Sequence, residues 1–255
     1  MNYSLWAEWY DVVYSAAPPD EAEFYRDLYR RAGGTLLEIG VGTGRIAVPA
    51  AKAGAEVVGV DLNQPMLDVA HRKALAASPL KGSLQLVRAD MRGLELLREF
   101  ALVAIPARTL LLAAAPEDQV ATLCHAGRHL ASGAKLVFNT FVPDPELIAD
   151  REPEPFKWGE TTHPETGNRC ELWAVNRFDA QSQLNRGRQI VRELDAVGGV
   201  VRSVELDVLV RYLHPAEAAS MAEEAGLRVA SIHGGFDGSP LREDSEEMVF
   251  VCERA

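Results

Sequence analysis

Residues 35–61 read TLLEIGVGTGRIAVPAAKAGAEVVGVD. Leu36, Leu37 and Ile39 make a short buried strand, and Gly40-Val41-Gly42-Thr43-Gly44 follows as a turn with almost no side chain to obstruct a ligand. A helix is expected from Arg45 to Lys52, closed by Gly54 in the left-handed cap position. Val57 to Val60 then gives a second apolar strand that ends on Asp61. The result is a βαβ unit with a glycine turn at the helix start and a carboxylate at the tip of the second strand, the arrangement of a nucleotide-type cofactor site.

Glycine spacing narrows the cofactor. A dinucleotide turn reads G-x-G-x-x-G, which lets a pyrophosphate settle on the helix N-terminus. Here Gly44 comes one position early, Arg45 stands where Gly or Ala is wanted, and Glu38 precedes the first glycine by two. A carboxylate at that point does not help a pyrophosphate and suits a ligand carrying an amino group and a sulfonium. The E-x-G-x-G-x-G form resembles the cofactor loop of class I S-adenosylmethionine-dependent methyltransferases, in particular those that act on small molecules.

That resemblance implies a doubly wound, mostly parallel seven-stranded Rossmann-like sheet with an antiparallel last strand. It implies S-adenosyl-L-methionine as cofactor and S-adenosyl-L-homocysteine as product. Carried onto this sequence, it has Asp61 accept from the ribose hydroxyls, Met66 pack on the adenine and Asp90 meet the adenine amine, with Leu62 and Met91 beside them. Glu38, Gly40, Gly42, Gly44 and Arg45 form the loop itself. Trp9-Tyr10-Asp11-Val12-Val13-Tyr14 resembles the family's N-terminal lid, which brings Tyr10 to the cofactor. Ala101 departs from the pattern, because many relatives carry Asp there. Two other readings stay open on the residues: an NAD-dependent oxidoreductase, which Asp61 also fits, and a binding protein that keeps the pocket without catalysis.

The chain has 255 residues, 47 % of them hydrophobic, enough for a large core without disulfides. Its formal net charge of -11 argues against a general nucleic-acid or anionic-membrane surface, since no basic run is present. The three cysteines are far apart and match no metal-site spacing, so no metal is expected and a reducing cytoplasm is. The N-terminus lacks the pattern of a signal peptide, and the apolar stretch around Leu102 to Ala115 is too short to span a bilayer.

In chain order, Tyr3, Trp6, Tyr10 and Tyr14 share one side of an N-terminal helix, and a second helix runs from Glu21 to Ala32. A helix from Asn63 to about Ala77 leads to a strand at Leu84 to Val87, and Phe100 to Ile105 is a fourth strand. Pro116 opens a helix to about Leu130, capped near Gly133, before a fifth strand from Ala134 to Phe141. Residues 169–178, 186–194 and 200–212 alternate polar and apolar with period two, so 143–212 reads as an inserted antiparallel β subdomain that roofs the substrate. Residues 1–142 and 213–255 are then the cofactor-binding domain, with a helix from Pro215 and strands at 227–232 and 247–252, the last closing the end of the sheet.

The expected acceptor is a small molecule, methylated on nitrogen or oxygen. Methyl transfer is a displacement at an activated carbon, so alignment supplies most of the rate and a base serves only a protonated nucleophile. His233 and Tyr14 are the candidate catalytic residues, with His214 a weaker one. Arg108 and Arg211 are candidates for holding an acidic group on the acceptor. An exposed ribbon can also pair across a homodimer.

Overall fold

The computed structural model describes residues 6–148 and 153–255, so Tyr3 of the expected aromatic stripe lies outside the described residues. The chain forms two compact units: the residues to Pro18 with Asp144–Val210, and Pro19–Pro143 with Arg211–Ala255. Residues 6–18 group with the antiparallel strands, whereas the sequence reading placed them with the cofactor-binding domain. The reason is apolar contact. Helix α1 (Tyr10–Tyr14) and the turn before it bury Trp6, Trp9, Val12 and Val13 in one cluster with Cys170, Leu172, Val191 and Leu206.

The larger unit begins with α2 (Asp20–Arg31), followed by β1 (Leu36–Ile39), α3 (Ala47–Ala53), β2 (Glu56–Asp61), α4 (Gln64–Ala76) and β3 (Ser83–Arg88). It continues with β4 (Phe100–Ile105), α5 (Pro116–Arg128) and β5 (Leu130–Phe141). The smaller unit carries α6 (Pro145–Ile148), β6 (Phe156–Thr162), β7 (Arg169–Asp179), β8 (Leu184–Leu194) and β9 (Val200–Arg211). After it come α7 (Pro215–Glu224), β10 (Leu227–His233) and β11 (Glu247–Arg254).

The large sheet has the order β10-β11-β5-β4-β1-β2-β3. Strands β1 to β5 are parallel, and β11 runs antiparallel between β5 and β10. The last strand therefore lies one place in from the edge, which β10 occupies. Leu36, Leu37 and Ile39 are fully buried, each contributing about 1.5–3 kcal/mol of apolar transfer. Across β5 and β11, Phe138 and Phe250 are register partners whose rings stack at 4.7 Å.

Three local expectations are corrected. Helix α3 starts at Ala47 rather than Arg45, although the Val48 N–H already donates to the Gly44 carbonyl at 3.0 Å; the Arg45 side chain pairs with Glu21 on α2. Gly133 does not cap a helix: α5 ends at Arg128, and Gly133, at φ +76°, lies inside β5, which already pairs with β4 at Leu130. The proline-rich connector also contains an unforeseen strand, β6, paired antiparallel with β7. The small sheet is thus four strands, in the order β6-β7-β8-β9.

Candidate functional site

The direction of winding in the large sheet reverses between β1 and β4, and open α/β sheets place ligands outside the carboxyl ends of their strands at such a switch point. The glycine turn leaves β1 there, held by the Gly40 and Val41 N–H groups donating to the Val60 carbonyl at 2.8 and 2.9 Å. Gly40, Gly42 and Gly44 all have positive φ, at 77°, 52° and 71°. Their surroundings differ. A Cβ on Gly40 would lie 2.3 Å from Thr109 Cγ2 in the turn after β4, whereas one on Gly42 would meet nothing nearer than the Gly40 carbonyl at 4.0 Å. Gly40 is therefore required by packing and Gly42 leaves open space.

Glu38 lies in β1 between Gly59 and Ala104 of its neighbours, whose small size leaves it room. It is 2 % exposed; among the described residues its Oε2 meets no donor in good hydrogen-bond geometry, and the buried Tyr29 hydroxyl beside it favours the charged form. Burial pushes the Glu38 carboxyl up to about 8, with Tyr29 and Arg45 partly offsetting it and Glu21 adding to it. An unfolded glutamate loses its proton near 4.5, so between there and about pH 8 the native state keeps a proton that the unfolded chain has released. Stability contributed by the neutral form is then full below pH 4.5 and lost as the pH rises through 8. Urea unfolding at pH 5 and pH 9 should show the wild type losing ~3–5 kcal/mol more than Glu38→Gln, which cannot ionise. Equal losses in both proteins would mean that Glu38 is already charged at neutral pH.

Asp61 ends β2 as expected. Its Oδ2 accepts the Gly42 N–H at 2.9 Å and its Oδ1 the Asn63 N–H at 2.8 Å, so one carboxylate ties the turn to the start of α4. Burial raises its pKa and these hydrogen bonds oppose the rise. Met66 is buried on α4 and Leu62 is half exposed. Asp90 follows β3, but its carboxylate is taken by the Arg92 N–H and in a bidentate pair by the Arg92 guanidinium, which also reaches Asp118 at 3.2 Å. Arg92 holds the Asp90 carboxyl below its usual range. Met91 lies in the single 3₁₀ turn, Met91–Gly93, that Asp90 caps.

His233 ends the edge strand β10. Its Nδ1 faces the Gly238 carbonyl at 3.1 Å and its Nε2 the Ser231 hydroxyl at 2.9 Å, so both ring nitrogens are engaged in shaping their own loop, two strands away from β5. His214 occupies the N-cap position of α7, where its N–H donates to Glu217. Arg211 is 5 % exposed, paired with Glu217 and donating to Gln119 Oε1 at 2.8 Å; it joins the β9 end to α5 and α7 and is not presented to a ligand. Tyr10 and Tyr14 belong to the smaller unit, with ring centroids 4.5 Å apart on α1. In that unit Trp9 meets the His163 ring edge at 4.9 Å and lies 5.3 Å under the Arg202 guanidinium.

Sequence reading missed a network at the same edge of the large sheet. Glu21 Oε2 pairs with Arg45, while Oε1 accepts the Ala107 N–H at 3.0 Å and Asn139 Nδ2 at 3.3 Å. Asn139 Nδ2 also reaches Glu247 Oε2 at 3.1 Å, and Glu247 pairs with Arg108. Tyr25 donates its hydroxyl to Asn139 Oδ1 at 2.9 Å.

The residues present fit an amino-acid-bearing nucleoside better than a dinucleotide: a buried carboxylate with one unsatisfied oxygen beneath the turn, open space at Gly42 and an acid at the end of β2. Residues 36–133 match the family model described as a methyltransferase domain. The chain is 28 % identical to cypemycin N-terminal methyltransferase of Streptomyces sp over 222 residues, 87 % of this chain and 84 % of that protein. The solved structure of the CcbJ methyltransferase from Streptomyces caelestis is 27 % identical, with a TM-score of 0.76 over 94 % of this chain and 91 % of that one. CalS10, an amino pentose methyltransferase from Micromonospora echinaspora whose structure was solved with S-adenosylmethionine bound, is 22 % identical at a TM-score of 0.72 over 96 % of each chain and shows the shared fold. Among the described residues no helix is long and apolar enough to cross a membrane. Glycine spacing, sheet order and these matches agree in supporting a class I S-adenosylmethionine-dependent methyltransferase, with the methyltransferase-domain match lying over residues 36–133.

Proposed function

We propose that the enzyme methylates the amino nitrogen of a small acceptor, an amino sugar or the N-terminus of a short peptide. The observation that carries the cofactor half of this reading is the buried Glu38 carboxylate, with its Oε2 unsatisfied, under an open glycine turn, and Asp61 at the neighbouring strand end. Glu38 receives the cofactor's amino group, Gly40, Gly42 and Gly44 bring backbone within reach of it, and Asp61 accepts from the ribose hydroxyls. Met66, Leu62 and Met91 border the adenine. Asp90 receives the adenine amine only if it shares its carboxylate with Arg92. S-adenosylmethionine supplies a methyl group already activated by its sulfonium, so these residues bind and orient, and exclude water.

Nitrogen is favoured over oxygen by what the relatives are: an N-terminal methyltransferase, an amino pentose methyltransferase and a sugar N-methyltransferase from Streptoalloteichus sp. An amine that has shed its proton needs no enzyme base, which accords with a His233 ring occupied on both sides. Acceptor choice is assigned to the smaller unit, where Tyr10 and Tyr14 offer aromatic faces and hydroxyls. The test is methyl transfer from labelled S-adenosylmethionine to aminodeoxy sugars and tripeptides with free N-termini, beside the same compounds N-acetylated. Label in the free amines and none in the acetylated set is expected; label that survives acetylation would move the reaction to oxygen.

A further inference from the structure

Glu21 is the only described residue whose one carboxylate meets donors from the exits of β1 and β4 and from β5. Arg45 belongs to the glycine turn, Ala107 to the turn after β4, and Asn139 to β5. These are the two sides of the switch point and the strand beside it. The β4 turn is unusual: Ala107 and Arg108 are consecutive non-glycine residues with φ of 55° and 58°, a backbone that L side chains seldom adopt and that surrounding contacts must hold. The Ala107 N–H is fixed on Glu21, the Arg108 guanidinium on Glu247 and the Thr109 hydroxyl on the Pro106 carbonyl, and Asn139 bridges both carboxylates. The Glu21 side chain is 14 % exposed and that of Arg45 17 %, so the pair is shielded from water.

We propose that Glu21 is a positioning residue that makes the cofactor turn and the turn after β4 a single unit, so that filling the first fixes the backbone of the second. The inference rests on the reading that the glycine turn holds S-adenosylmethionine. Its physical basis is the division of labour within one carboxylate. Oε2 neutralises Arg45 and so sets where the turn's only cation lies relative to Glu38; Oε1 pins Ala107. A ligand that draws on Arg45 is thereby coupled to Ala107 through two hydrogen bonds.

Glu21→Gln separates the two halves, because its amide oxygen can still accept from Ala107 while its amide nitrogen opposes Arg45. The measurement is S-adenosylhomocysteine affinity by calorimetry together with amide hydrogen exchange at Ala107, for the parent, Glu21→Gln, Glu21→Ala and Asp61→Ala. In the parent, saturating S-adenosylhomocysteine should slow Ala107 exchange at least about tenfold. Glu21→Gln should bind about tenfold more weakly, because Arg45 is no longer held in place, a modest coupling between sites, with Ala107 still protected. In Glu21→Ala, ligand at a saturating level should no longer slow Ala107. Parent-like affinity in Glu21→Gln, or equal ligand-induced slowing in Glu21→Ala and the parent, would overturn the inference. Loss of binding in Asp61→Ala alongside either result confines the failure to Glu21, while parent-like binding by Asp61→Ala would bring down the site reading and the inference with it.

Discussion

Replacing Asp61 by alanine should weaken S-adenosylmethionine binding by at least about 100-fold. Hydrogen bonds to a charged group are each worth about 1.5–3 kcal/mol, and the ribose presents two hydroxyls, so ~3–6 kcal/mol is at stake. A second effect adds to the first. The same carboxylate holds the Gly42 N–H and the Asn63 N–H, so the alanine variant also loosens the turn from α4. Asp61→Asn keeps an oxygen acceptor and loses the charge, and should fall between the parent and alanine. Calorimetry gives the affinities, and thermal unfolding checks that both variants fold. Undiminished affinity in Asp61→Ala would remove the ribose assignment.

Gly40→Ala should destabilise the protein by about 2–5 kcal/mol, and Gly42→Ala by about 1–2. Both positions have positive φ, which costs an alanine about 1–2 kcal/mol. Only at Gly40 does the new Cβ collide, 2.3 Å from Thr109 Cγ2 and 2.6 Å from Thr109 Oγ1. Thr109 cannot simply turn away: it is buried and its hydroxyl donates to the Pro106 carbonyl at 2.7 Å. Overpacking of this kind adds about 1–3 kcal/mol. Urea unfolding should therefore rank parent, Gly42→Ala, Gly40→Ala in falling stability, and Gly42→Ala should fold while binding cofactor poorly. Equal destabilisation of the two variants would mean that the β1 and β4 turns do not interlock.

The local parts of this fold are legible because they rest on local chemistry. Continuous apolar runs mark β1, β2 and β4, positive-φ glycines mark the turn, and Asp61 follows from its place at a strand tip. What escaped reading depends on partners far apart in the chain. Arg45 pairs with Glu21, 24 positions earlier, and Ala107 meets that same carboxylate across 86 positions. Asp90 lies two residues past Arg88, the register partner of Asp61, and is paired with Arg92 two residues on, a pairing the sequence permits without requiring. Strand β6 was hidden by Pro153 and Pro155 at its start and by a mostly exposed composition, FKWGETT, that lacks a buried face of its own. The N-terminal aromatics do not share one continuous helix: α1 spans only Tyr10–Tyr14, a turn separates it from Trp6, and Trp6 and Trp9 sit with Cys170 and Leu172, partners a spacing pattern does not name.

The cofactor assignment is tested most directly by titrating the purified protein with S-adenosylmethionine, S-adenosylhomocysteine and NADH side by side. Micromolar binding of the first two, with proton release at pH 7 as the buried Glu38 ionises, is the expected result, together with no heat from NADH. Binding of NADH and not of the other two would contradict the glycine-turn reading and every residue role that follows from it.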